Sequence, residues 1–245
     1  MSLPPLDLSV VAVLVLAAVH VITPSLRFIR GIPRSIWLSI FGGVSVAYVF
    51  VHLLPELAEG QERLGRALAS GVLGVSFAER HVYLVALFGL AVFYGLERLA
   101  KRARSTTDGG TGTSVFWIHM GSFGIYNAVV GYLLVRRPSS SLASLVFFTV
   151  AMALHFVVTD YGLTEDHEQA FPRIGRWVLA GAVLAGYVLG LAFELPQPAI
   201  DILIAFLAGG VILNVLKEEV PAERQSRFWA FAAGAAGYAF LLLFV

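Results

Sequence analysis

The chain predicts an all-α integral membrane protein, a bundle of eight transmembrane helices. Three observations carry this. Apolar residues make up 58% of the 245 positions and charged residues only 13%, about half the charge of an ordinary soluble domain. The apolar residues fall in long continuous blocks with short polar joints, the pattern of a polytopic helical protein. The blocks do not alternate polar and apolar positions, which excludes an antiparallel membrane barrel. No cysteine is present, so disulfides and thiolate metal sites are excluded. A net charge of +1 gives no indication of nucleic acid as a partner.

The spans run roughly over 8–24, 35–55, 80–99, 114–135, 140–160, 174–194, 199–218 and 227–245, each near the ~20 residues needed to cross the hydrocarbon. No basic segment precedes the first block, so it reads as a retained span and not a cleaved signal. The joints after spans 1, 3, 5 and 7 hold 12 of the 17 Lys and Arg residues. That bias places these joints in the cytoplasm and both termini outside, with the plasma (inner) membrane as the expected location. No joint is long enough for a soluble domain, so residues 1–245 form one membrane domain. Residues 57–79 are long and mixed in charge, which suits an amphipathic helix on the outer surface. Residues 103–113 are a Gly/Thr linker. Residues 160–172 are acidic, and the run Glu165-Asp166-His167-Glu168 within them reads as a solvated loop, with collection of cations as the alternative.

Span 2 contains Gly42-Gly43-Val44 and ends at Pro55-Glu56. Span 7 contains Gly209-Gly210-Val211 and ends at Pro221-Ala222-Glu223. The two align with one residue of slip, and His52 falls opposite Glu218. On the charge-based topology they run in opposite directions, as in an inverted repeat of spans 1–3 and 6–8 around spans 4 and 5. Small residues four apart, at Ala182, Gly186 and Gly190 in span 6 and at Ala233 and Gly237 in span 8, predict helix contact faces.

Ionisable groups in hydrocarbon are costly, so each is a candidate for function. Asn127 and His155 lie deepest, with Tyr126, Thr159 and Asp160 as lining residues. His52 and Glu56, four residues apart on one helix face, mark the outer end of a route. His119 and Glu218 mark the inner end, together with Asp160. Imidazole, amide and carboxylate together form a mixed set able to bind a borderline divalent cation. Each residue also has an ordinary structural role open to it, as interhelical hydrogen-bonding glue. His20 is expected to be structural, and Glu97 to pair with Arg98 and Lys101.

These residues support a comparison. His52-Leu-Leu-Pro-Glu56 resembles the second-span ending of the ZIP family of divalent-metal transporters. Phe88-Gly89 through Glu97-Arg98 is similar to that family's third span, and Ala208-Gly209-Gly210 through Glu219-Val-Pro221 to its seventh. The resemblance implies a 3+2+3 ZIP-like bundle, transport of a zinc-, iron- or manganese-class ion, and metal ligands at Asn127 and His155. It also implies no enzyme activity and no fixed cofactor, the metal being substrate. The lipid bilayer, a metal ion and a second copy of the chain are the expected partners.

The chain departs from the family at its metal motifs. Span 4 reads Tyr126-Asn127-Ala-Val-Val130-Gly131 and span 5 reads His155-Phe156-Val-Val-Thr159-Asp160. The family has a histidine at Tyr126 and acids at Val130 and Phe156. Two dications need bridging carboxylates, so the expected site is reduced and not binuclear. Two further hypotheses follow. One is a ZIP-fold membrane protein that no longer moves metal and serves as partner, sensor or carrier of another solute. The other is a metal-dependent intramembrane hydrolase. It is disfavoured because His52/Glu56 and His155/Asp160 lie at different depths.

Overall fold

In the computed structural model every element is helical among the described residues, which are 6–26, 35–67, 81–105, 112–136, 141–219 and 227–243. Side chains are described for these except at 6, 7, 67, 100–105, 112, 218 and 219. The helices are α1 (Leu6–Ile22), α2 (Ile36–Tyr48), α3 (Leu54–Ala67), α4 (His81–Ser105), α5 (Gly112–Arg136), α6 (Leu142–Asp166), α7 (Arg176–Ala192), α8 (Gln197–Glu219) and α9 (Phe228–Leu242). Seven helical stretches are long and apolar enough to cross a membrane, and α9 is a shorter apolar helix. Large apolar side chains such as Leu14, Phe50, Leu87, Ile125, Val188 and Trp229 are exposed along the outside. That is the surface expected of helices in contact with lipid.

Two prolines shape the rods. Pro55 has no amide hydrogen, and its ring crowds the carbonyl four residues back. The chain answers with a widened π turn over Val49–Leu53, where the Leu54 amide donates to the Val49 carbonyl. A second π turn, Phe171–Gly175, surrounds Pro172 and leads into α7. Such turns keep a helix continuous where an α-helical bond is lost. Helix α2 therefore runs on into α3 without a break, so the amphipathic helix expected within 57–79 is present over 57–67 as a continuation of span 2. The remainder of that joint, 68–80, lies outside the described residues.

Three helix pairs cross at reciprocal glycines. A Cβ at Gly43 would strike the Phe231 carbonyl of α9, and one at Gly234 the Ile40 carbonyl of α2. Gly89 and Gly209 meet Phe206 and Ala86 across α4 and α8, and Gly131 and Gly186 meet Val183 and Ala128 across α5 and α7. Backbones approach this closely only without side chains. Gly186 and Gly190 thus face α5 as expected. In α9 the expectation fails. Gly237 faces open space and Ala233 is exposed, while Gly234 makes the contact. The partner backbone of α2 lies against the Gly234–Tyr238 face, one residue around the helix.

The crossings sort the helices. α5 packs on α7, and α1 lies on α6 and α7. α2 packs on α9, and α4 on α8. The first group meets the second mainly through α2 with α6 and α4 with α5.

Candidate functional site

Two hollows open at opposite ends of α5, α6 and α8. The larger, about 360 Å³, is lined by His52, Glu56 and Arg63 from the α2–α3 rod, with Ser144 and Met152 of α6 and Leu207 of α8. The His52 imidazole stands 3.9 Å from Glu56 and 5.2 Å, centroid to centroid, from Tyr48. At its rim Arg63 donates to buried Asp201 at 2.8 Å, and Gln197 donates to the same carboxylate. Asp201 was not singled out in the sequence, although a lone acid early in an apolar run was a visible signal.

The smaller hollow, about 10 Å³, lies among His119, Thr159, Asp166, Asn214 and Lys217. Between the two hollows stands an aromatic layer. Tyr126 of α5 makes edge contacts with Phe93 of α4 and Phe156 of α6, at 6.2 and 6.3 Å, and lies 6.0 Å from His155.

The predicted deep residues divide between two faces. Asn127 and Asp160 turn toward α1. There His20 Nε2 lies 2.8 Å from Asn127 Oδ1, and Nδ1 lies 2.8 Å from Asp160 Oδ2. Asn127 Nδ2 donates to the Phe123 carbonyl at 2.8 Å, which fixes the amide and makes His20 Nε2–H the donor. Nδ1 and the Asp160 carboxyl then share one proton, whichever atom carries it. His20 also stacks on Phe156 at 4.5 Å. All three polar residues are buried, Asp160 completely. His20, expected to be structural, is the hub of this interhelical network. Asp160, expected both as a lining residue and toward the inner end of the route, joins Asn127 through His20. The missing signal was pairing, because the partners are 107 and 140 residues apart.

The other face looks toward α8. His155 and Thr159 are one turn apart on it. Tyr126 Oη, His155 Nε2, Thr159 Oγ1, His119 Nε2 and Asn214 Nδ2 are buried there without a hydrogen-bond partner among the described residues. Most buried polar groups find partners, so orphans call for a water, an ion or a function. Here they form a column from the aromatic layer to the small hollow. His155 and Asn127, expected to act together, are on different faces.

At the lower end His119 Nδ1 lies 2.9 Å from His167 Nε2. His119 Nε2 is 3.7 Å from Glu97, whose carboxylate Lys217 holds at 2.9 Å. Glu97 therefore reaches across to α8, since the Gly89–Gly209 crossing brings α8 within range. The expected pairing with Lys101 falls outside the described side chains. Helix α6 runs through Asp166 and His167 is buried, while Glu165, Asp166 and Glu168 are exposed, so the acidic run is solvated as expected but is the end of a helix and a turn instead of a loop. Glu218 sits in the last turn of α8, and its side chain lies outside the described set.

Among the described residues no three His, Cys, Asp or Glu side chains gather as a metal cluster. No protein-family profile, curated protein or solved structure matches the chain. The arrangement defines the class as a helical membrane bundle with a polar seam between α5, α6 and α8.

Proposed function

We propose that the chain is a ZIP-like membrane transport protein that passes a divalent cation of the zinc, iron or manganese class along the α5–α6–α8 seam. The observation that carries this is the column of orphaned polar atoms that runs from the aromatic layer to the small hollow. A purely structural bundle gains nothing from leaving such groups unpaired in hydrocarbon. The site is reduced and not binuclear. Val130 and Phe156 are buried and apolar, and Asp160 is already bonded to His20. His155 and Tyr126 line the narrow point, His52 and Glu56 the entry, and His119 the far end.

The eight-span 3+2+3 arrangement belongs to this proposal. The crossings support the inverted repeat, because the pair Gly43–Gly234 corresponds to Gly209–Gly89 when spans 2 and 8 are exchanged for 7 and 3. With Gly43 set against Gly209, Pro55 falls on Pro221 with no slip. Both termini lie outside on the Lys/Arg bias.

The test is uptake of zinc, iron or manganese into proteoliposomes holding the pure protein. Saturable flux that falls about tenfold or more in His155→Ala supports the route, as expected for loss of an essential ligand. Unchanged flux in that variant removes His155 from it. One observation favours the second reading, a ZIP-fold protein that no longer moves metal: the aromatic layer of Phe93, Tyr126 and Phe156 closes the seam. Robust metal flux rules that reading out.

A further inference from the structure

We infer that the small hollow at the His119 end binds a single divalent transition-metal ion, through His119 Nε2, Thr159 Oγ1 and the Asn214 amide, with Asp166 in its wall. This deepens the transport reading by giving the ion a station at one end of the seam. Its place on a route rests on that reading, while its capacity to bind does not.

Three helices each bring to this place one buried polar side chain with an atom that makes no hydrogen bond among the described residues: His119 from α5, whose Nε2 also lies 3.7 Å from the Glu97 carboxylate, Thr159 from α6 and Asn214 from α8. All three are at least nine-tenths buried. At about 10 Å³ the space suits one water or one monatomic ion and no organic ligand. The surrounding charge decides between ions. Asp166 and Glu97 are acidic and Lys217 is the basic group beside them, so the local field favours a cation.

The donor set narrows the choice further. When His119 Nδ1–H donates to His167 Nε2, Nε2 is left with a lone pair at the edge of the hollow, where an ion would lie between it and the Glu97 carboxylate 3.7 Å away. This is the way a second hydrogen bond orients a ligating histidine. An imidazole nitrogen selects manganese-, iron-, cobalt- or zinc-class ions over alkali ions. Asn214 offers its carbonyl after a half-turn of the amide, since the two ends of that group are nearly isosteric. The set mixes one imidazole with a hydroxyl and an amide, and is therefore no cluster of three histidines or acids.

Lys217 gives the inference its sharpest consequence. Its ammonium holds Glu97 at 2.9 Å and also lines the hollow. Among the described residues that line the hollow it is the one Lys or Arg, and it opposes binding of a dication.

The experiment is a Mn²⁺ titration of the purified full-length chain in detergent, with free Mn²⁺ read by electron paramagnetic resonance. One saturable site is expected. His119→Gln and Thr159→Val each weaken it about tenfold or more, and Lys217→Gln tightens it about tenfold, as removal of a nearby like charge requires. The gain in Lys217→Gln does not arise from misfolding. No saturable binding, or binding indifferent to all three changes, means that the hollow holds only water and overturns the inference. Flux with indifferent binding leaves transport standing and this site refuted. Binding with these shifts but no flux leaves the site standing and transport refuted.

Discussion

His20 bonds to α5 at one ring nitrogen and to α6 at the other. Removing the ring strands two buried groups at once. His20→Ala is expected to cost about 1–3 kcal/mol, the range for leaving a buried polar partner unsatisfied. The paired change His20→Leu with Asp160→Leu recovers the share lost at Asp160, while Asn127 Oδ1 stays without its donor. A double-mutant cycle of unfolding in mixed detergent measures both, and additive losses would contradict the pairing. The polar residues themselves were legible, since Asn127, His155 and Asp160 stand out in apolar runs. Their assortment onto two faces was not. One residue of difference, Tyr126 against Asn127 or Thr159 against Asp160, turns a side chain about 100° around its helix. Which neighbour waits there depends on helices far away in the chain.

At the scale of elements, glycine crossings set which helices touch. Gly186 has no room for a side chain against the Ala128 carbonyl, while Gly181 on the same helix faces open space. Gly186→Leu is therefore expected to destabilise the fold by about 1–3 kcal/mol or more, as overpacking does. Gly181→Leu is expected to be near neutral. Thermal unfolding in detergent separates the two, and equal effects would remove the crossing as the cause. Helix α3 has a comparable fastening in Arg63 and Asp201. Asp201→Ala is expected to free α3 from α8 and raise amide hydrogen exchange over residues 57–67, with little change in α7. The spacing of small residues showed that crossings exist in span 6. It misplaced the face in α9, because the pattern at Ala233 and Gly237 has no packing partner there.

For the whole molecule, packing divides the helices into α1, α5, α6 and α7 on one side and α2, α4, α8 and α9 on the other. The seam with the orphaned atoms runs along their boundary. If the proposed transport operates, one group shifts against the other, and α5 and α6 carry α1 and α7 with them. The chain has no native cysteine, so paired cysteines test this directly. A cross-link between α5 and α7 is expected to leave flux intact, and one between α5 and α8 to abolish it. The reverse result would assign the moving parts differently. Single cysteines near either terminus are expected to react with an impermeant reagent from outside, as the Lys/Arg bias requires.

The sequence by itself determined the helical membrane class and the approximate positions of the spans. Continuous hydrophobicity is a local property, and a helix satisfies its own backbone in lipid. It also determined which residues were too polar for their surroundings. Tertiary structure alone decided who their partners are. It gave Asn127 and Asp160 to His20, left His155 and Thr159 on the open seam, and sent Glu97 to Lys217. These pairings link residues far apart in the chain, and helix rotation and close crossing set them. The motif His52-Leu-Leu-Pro-Glu56 shows the same division. Its histidine and glutamate were legible as a pair on one helix face, yet only the structure showed the widened turn before Pro55, and only the packing of α2 and α3 against α6 and α8 made it the wall of a cavity.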